Sequence, residues 1–182
     1  MNRRILALAV LFLAVGMLPL AADPEKSIAI GGKFGFADIG VSADFPVGPL
    51  VITPGIGYPG GLWFLGEMLD VFNLPFVTEP GPTFTLDVTY PVSIGERFDL
   101  KLGANIWIMP DINFSGMWGT AGLSVRPEYW FGDGRWGIVW NLNVPLIHYG
   151  WPSLSGNFFN EFDPTLPLFG LLTSSLGVLY SL

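Results

Sequence analysis

No cysteine occurs in the 182 residues, so no disulfide can staple the product and lipid attachment at a cysteine is excluded. Charge is scarce. Asp, Glu, Lys and Arg make up 13% of the chain, against roughly 25% in a typical soluble domain, which argues against an ordinary cytosolic enzyme. Positive charge is scarcest, with 8 Lys and Arg against 15 Asp and Glu, a balance that speaks against a nucleic-acid partner. Long apolar runs are also missing: beyond residue 22 none reaches the ~18 residues of a membrane-spanning helix. What is present is 51% hydrophobic and 15% aromatic residues, enough to exclude intrinsic disorder. The 24 Gly and 16 Pro follow no period and favour many turns over long helices. A chain of this length holds one domain, and its mean hydropathy of +0.51 leaves much apolar surface to place.

The first residues suggest where that surface goes. Arg3 and Arg4 precede an apolar run from Ile5 to Leu18, and Leu20-Ala21-Ala22 ends in small residues ahead of Asp23-Pro24-Glu25-Lys26. This is the layout of a secretory signal peptide at 1–22. The rival, an uncleaved anchor, would need ~20 apolar residues. The mature domain is then 23–182; without Arg3 and Arg4 it carries 6 basic against 15 acidic residues, a net charge of −9.

Period-2 alternation marks the strands. Phe84, Leu86, Val88, Tyr90 and Val92 alternate with Thr83, Thr85, Asp87, Thr89, Pro91 and Ser93. Phe98, Leu100, Leu102, Ala104, Ile106 and Ile108 alternate with Asp99, Lys101, Gly103, Asn105, Trp107 and Met109. Each run has one greasy and one polar face. For those faces to coincide in a hairpin, Ile94 must oppose Phe98 across Gly95-Glu96-Arg97, which sets Asp87 opposite Asn105 and Tyr90 opposite Leu102. A second hairpin joins 119–131 to 135–147 with switched parity, and Asp133-Gly134 reads as its even, two-residue turn. Arg126 then faces Asn141, and Ser124 faces Asn143. Weaker strands read at 28–36, 39–45 and 50–58, and a last one at 170–182, making eight.

Eight alternating strands predict an all-β, antiparallel up-and-down barrel. A soluble barrel, such as a lipocalin, also alternates, but it needs a charged exterior. Here the polar faces hold mostly Thr, Ser, Asn and Gly, and the greasy faces carry Phe, Trp and Tyr too bulky to fill a narrow interior. Connections after the second, fourth and sixth strands are short, whereas those after the third, fifth and seventh span 59–82, 110–118 and 148–169. Short turns at one end and long loops at the other suit a transmembrane barrel. Tyr90, Phe98, Tyr129, Phe131, Trp136 and Tyr180 lie near the short-turn end, where an interfacial girdle belongs. In this layout the chain resembles the small eight-stranded bacterial outer-membrane barrels of the OmpA, OmpX and OmpW type. The resemblance implies export to the outer membrane and contact with its lipid. Such barrels end in an aromatic residue with another two positions earlier; Tyr180 matches the inner position and Leu182 departs at the last.

The inward set, Lys33, Lys101 and Arg126 against Asp44, Asp87, Asp99 and Glu128, reads as a paired network that fills so narrow a lumen. The alternative is a proton or ion path. His148, the only histidine, falls where the seventh strand ends, with Ser153, Ser155, Glu161 and Asp163 after it. Lipid A deacylases and acyltransferases are eight-stranded barrels with such residues near the outer face. The deacylase pattern, however, places Ser two residues after His, where this chain has Gly150. No catalytic residue, cofactor or metal site is therefore expected. The loops 59–82 and 148–169 are unusually apolar, with Leu62, Leu65, Met68, Leu69 and Phe72 at helical spacing. Trp63, Phe72, Trp151 and Phe159 are the candidates for a small hydrophobic ligand or a host-surface partner. Pro54 and Pro145 each remove a ladder hydrogen bond. In the OmpW type such interruption of the wall is thought to let a hydrophobic molecule leave sideways. The expected function is a non-enzymatic outer-membrane barrel that handles small hydrophobic molecules, with a structural or adhesive barrel second and a lipid A-modifying enzyme third.

Overall fold

The computed structural model describes residues 27–61, 64, 81–114, 116–151, 157–158 and 165–182. The expected signal peptide and the loop residues Trp63, Phe72 and Phe159 lie outside these. The strands are β1 (Ala29–Gly35), β2 (Ile39–Val47), β3 (Leu50–Tyr58), β4 (Thr83–Ser93), β5 (Phe98–Pro110), β6 (Met117–Phe131), β7 (Trp136–Trp151), the short β8 (Asn157–Phe158) and β9 (Ser175–Ser181). A helix, α1 (Thr165–Thr173), precedes β9. β1 to β7 pair in chain order, β7 pairs with β9, and β9 returns to β1. The result is a closed, eight-stranded antiparallel up-and-down barrel, with β8 a two-residue appendage on β7.

The registers follow from hydrophobic parity. Asp87 lies opposite Asn105 and Tyr90 opposite Leu102, as the alternation requires, and Ile94 N donates to Phe98 O at 2.7 Å across the turn. A one-residue slip would turn Phe98, Leu100, Leu102, Ile106 and Ile108 inward and Asp99 and Lys101 outward, so the register is strongly specified. Ser124 faces Asn143; the ladder lapses at Arg126 and Pro127 between the pairs Val125–Leu142 and Glu128–Val139. Gly103, an inward position of β5, lies so close to β4 that a Cβ would sit 2.0 Å from Val88 O and 2.7 Å from Thr89 Cα. Only glycine permits that approach.

Four expectations need correction. The β6–β7 turn has four residues, since Phe131 pairs with Trp136; Gly132 and Gly134 take φ of +48° and +78°, so Asp133-Gly134 is half of it. The β5–β6 connection is shorter than read, because β6 begins at Met117. β7 runs to Trp151 rather than 147, which places His148 within the strand, opposite Thr120. Finally, the last strand begins at Ser175, and residues 165–173 are helical. A short continuous apolar run fits a strand and a helix equally well.

That helix alters the wall. β9 pairs with β7 only over Trp136–Asn141, and β8 pairs only at Ile147 and His148. Between them the edge of β7 meets α1. Asn143 N donates to Ser174 Oγ at 3.1 Å, and a Cβ on Gly170 would lie 2.6 Å from Asn143 O and 2.9 Å from Pro145 Cδ. At this level, toward the long-loop end, the barrel is closed by a helix and not by a strand.

Candidate functional site

Register places like charges side by side in the lumen. Lys101 pairs directly with Arg126 and Asp99 with Glu128 across β5 and β6, an arrangement that is unfavourable unless opposite charge reaches in. It does. Asp44 projects from β2, which lies opposite β6 in the ring with three strands between them on either side. Its carboxylate accepts from Lys101 Nζ at 2.5 Å, Arg126 Nη1 at 3.0 Å, Arg126 Nη2 at 3.2 Å and Thr53 Oγ1 at 2.8 Å. Glu128 Oε1 lies 2.7 Å from Lys101 Nζ and 3.1 Å from Arg126 Nη2; these contacts are ion pairs without directed hydrogen-bond geometry. The Arg126–Asp44 pair thus spans the lumen near its short-turn end.

The expected interior residues divide into separate groups. Lys101, Arg126, Glu128 and Asp44 form the transverse cluster. Asp87 accepts from Asn105 Nδ2 at 3.0 Å and Ser124 Oγ at 2.7 Å, and Asp99 accepts from Ser93 Oγ at 2.6 Å. Lys33 pairs instead with Asp38 and donates to Thr85 Oγ1 at 2.8 Å, while Thr83 Oγ1 donates to Asp38 Oδ1 at 2.7 Å. Asp38 is the residue that sequence reasoning missed. It lies between β1 and β2, where alternation assigns no face. All eight of these charged residues are at most 6% exposed. The space left beside Lys33, Asp87, Asn105 and Asn143 is about 10 Å³, room for about one water.

The long-loop end is closed differently. Ala37, Trp107 and Met109 are fully buried and packed with Trp118. Trp118 meets Trp107 edge-on at 5.3 Å and Phe169 of α1 at 4.9 Å, and Phe169 lies 6.0 Å from His148. Trp107 was legible as lumen-facing from its parity, but nothing in the sequence distinguished it from a filler.

The two prolines coincide with irregularities. The β2–β3 ladder lapses between the pairs Ser42–Gly55 and Phe45–Ile52, at the level of Pro54. The β6–β7 register shifts between Ala121 and Gly122, and Pro145 pairs with Gly122 on one side of that shift. Trp151 ends β7 opposite Met117. Among the described residues no group of His, Cys, Asp or Glu could hold a metal ion.

The outside inverts the polarity of the inside. Phe34, Val41, Ile56, Trp136, Ile138, Leu176 and Val178 are all exposed, several by more than half. The short-turn rim carries the aromatic pairs Tyr129–Phe131 at 5.4 Å and Trp136–Tyr180 at 4.8 Å. An apolar groove of about 810 Å³ runs over this surface, with Gly32, Ala43 and Pro54 between Ile30, Val41 and Tyr180. These features define a closed β-barrel with an apolar exterior and a polar, filled core. No family model, curated protein or solved structure matches the chain.

Proposed function

We propose that the chain is a non-enzymatic outer-membrane β-barrel, exported by its signal peptide, that handles small hydrophobic molecules beside a filled lumen. The observation that carries this reading is the inversion of polarity. Val41 is 58% and Phe34 70% exposed, whereas Arg126 and Glu128 inside are 1% exposed. In water such an exterior is unfavourable by roughly 25 cal/mol for each Å² of apolar surface left wet; in lipid the cost vanishes, and the closed sheet leaves few backbone groups unpaired. The transverse ion cluster speaks against a pore. The helix in the wall beside Pro145, together with the apolar groove at Pro54, supports lateral handling of an apolar molecule.

Single cysteines at Leu86, Leu102 and Ile138 should resist a membrane-impermeant thiol reagent, and the unheated protein should run ahead of the boiled form on a gel. Ready labelling at those sites, with protection at Thr85 and Asn141, would show a soluble barrel. For the transport half of the reading, Trp63 with Phe72, or Trp151 with Phe159, are replaced by Ser. Uptake of small apolar compounds should fall while the gel shift is kept. Unchanged uptake with lost adhesion to host surfaces would replace transport by adhesion.

A further inference from the structure

Near the long-loop end three neighbouring strands carry Trp107, Thr120 and His148 in one row. Trp107 pairs with Thr120 across β5 and β6, and Thr120 with His148 across β6 and β7. Residues paired in this way share a face, and Trp107 and Thr120 are buried inside the barrel. Trp107 is 0% exposed, yet its Nε1–H has no acceptor among the described residues; the buried Nδ1 of His148 has no partner either. A buried donor left unpaired is costly, and each such group in a folded protein calls for an explanation. The two rings lie among apolar neighbours: Trp107 shares a buried cluster with Met109 and meets Trp118, and His148 meets Phe169.

We propose that this row is a binding site for a small apolar molecule bearing one hydrogen-bond-accepting oxygen, such as a ketone. The inference rests on the hydrophobic-molecule reading above and names the chemistry of the ligand. An indole N–H donates and cannot accept, so the ligand's polar atom must be an acceptor. The aromatic and thioether walls take an alkyl body and disfavour a strongly hydrated ion. His148 offers a second nitrogen that donates or accepts according to its tautomer. Phe169 is the cover that the ligand displaces. It sits on α1, whose C-terminal end is tied to the barrel by Ala37 N to Leu172 O at 3.0 Å, Asn143 Nδ2 to Thr173 O at 2.7 Å, and Asn143 N to the following Ser174 Oγ at 3.1 Å. Phe169 meets Trp118 and His148 through ring contacts, so a ligand enters by turning that side chain away and breaks no hydrogen bond of it.

The test compares 2-decanone with decane, which match in length and differ in the oxygen. The full-length mature barrel in lipid nanodiscs is labelled with ¹⁵N, and the Trp107 indole signal is assigned by its loss in Trp107→Phe. Added 2-decanone should shift the Trp107 indole N–H saturably, and decane should not. In Trp107→Phe, checked for folding by its gel shift, 2-decanone affinity, read from the His148 ring signals, should fall about fivefold, the effect of one lost neutral hydrogen bond. Equal shifts with both compounds would mean nonspecific partition and overturn the site. So would the absence of any shift together with fast solvent exchange of the Trp107 indole proton, which would assign water as its partner. The wild-type comparison stands even if the variant fails to fold. If uptake of apolar compounds still depends on the loop residues while Trp107 is silent, the site falls and the function stands.

Discussion

At the short-turn end the lumen is crossed by Arg126 and Asp44, with Lys101 and Glu128 locked to them, under a wall in which neighbouring strands pair with one another. At the long-loop end it is closed by Trp107, Met109 and Trp118, under a wall where α1 stands in for a strand. Both ends exclude solvent, but by different means. Charges drawn into a narrow interior must be matched by opposite charge, and once matched they resist separation because each partner would be left buried alone. Aromatic rings make no such demand and slide or lift at lower cost. The ionic end is therefore the rigid half of the molecule, and the aromatic end, held mainly by ring packing, the softer one.

The comparison breaks most sharply at Arg126. Arg126→Ala leaves Asp44 and Glu128 buried with Lys101 as their one cation among the described residues, and the expected loss is about 3–5 kcal/mol of folding stability. Urea titration of the barrel in lipid vesicles, followed by the gel shift, reads this directly. A loss below about 1 kcal/mol would mean that water reaches the cluster and that the short-turn half is not sealed.

Next in size is Gly103→Ala. The added methyl meets Val88 O and Thr89 Cα, both backbone atoms of a paired strand, so the strand must shift. Overpacking of this kind costs about 1–3 kcal/mol. The same urea titration should show the loss with an unchanged slope, since the surface exposed on unfolding is the same.

How much of this was open to sequence reasoning depends on whether a residue lay inside a regular strand. In β4 and β5 the alternation fixed the faces, the faces fixed the register, and the turn length followed; Asp87 and Asn105 could be paired on paper because parity leaves no other solution. The inward set could be named for the same reason. Its division into groups could not, because which strands face one another across a ring depends on closure, and Asp44 meets Arg126 only once the barrel is complete. Asp38 lies in a turn, where parity gives no direction. The helix Thr165–Thr173 fell across the boundary between the loop 148–169 and the strand 170–182, because a short apolar run such as Gly170–Leu172 satisfies a helix or a fully buried strand alike. His148 looked like a loop residue because Pro145 and the register shift beside it disturb the alternation just before it.

A smaller effect sharpens the other half. Asn143 Nδ2 holds Thr173 O at 2.7 Å, while Asn143 Oδ1 is buried without a donor. Asn143→Ala removes one hydrogen bond and one unsatisfied acceptor, so the global cost should stay below about 1 kcal/mol. Its local effect should be larger in relative terms. Amide exchange across α1 should quicken by about fivefold while the β5–β6 amides keep their protection. Uniform quickening over both regions would mean that the two halves unfold together and that the helix is no separate unit.

The smallest effect is expected where the chemistry of Arg126 and Asp44 recurs in water. Arg135 and Asp133, in the turn between β6 and β7, are also an arginine and an aspartate, with Nε and Oδ2 3.6 Å apart, but both side chains are 68% exposed. Neither was taken from water on folding, so separating them strands no buried charge, and the Coulomb attraction is screened by solvent and salt. What remains is the hydrogen bond from Arg135 N to Asp133 Oδ1 at 3.1 Å, which tightens the turn. Asp133→Ala should therefore cost no more than about 0.5 kcal/mol, several times less than Arg126→Ala, with the gel shift intact. A loss comparable to that at Arg126 would remove burial as the explanation for the rigid half and point to the β6–β7 turn as the element that holds the barrel closed.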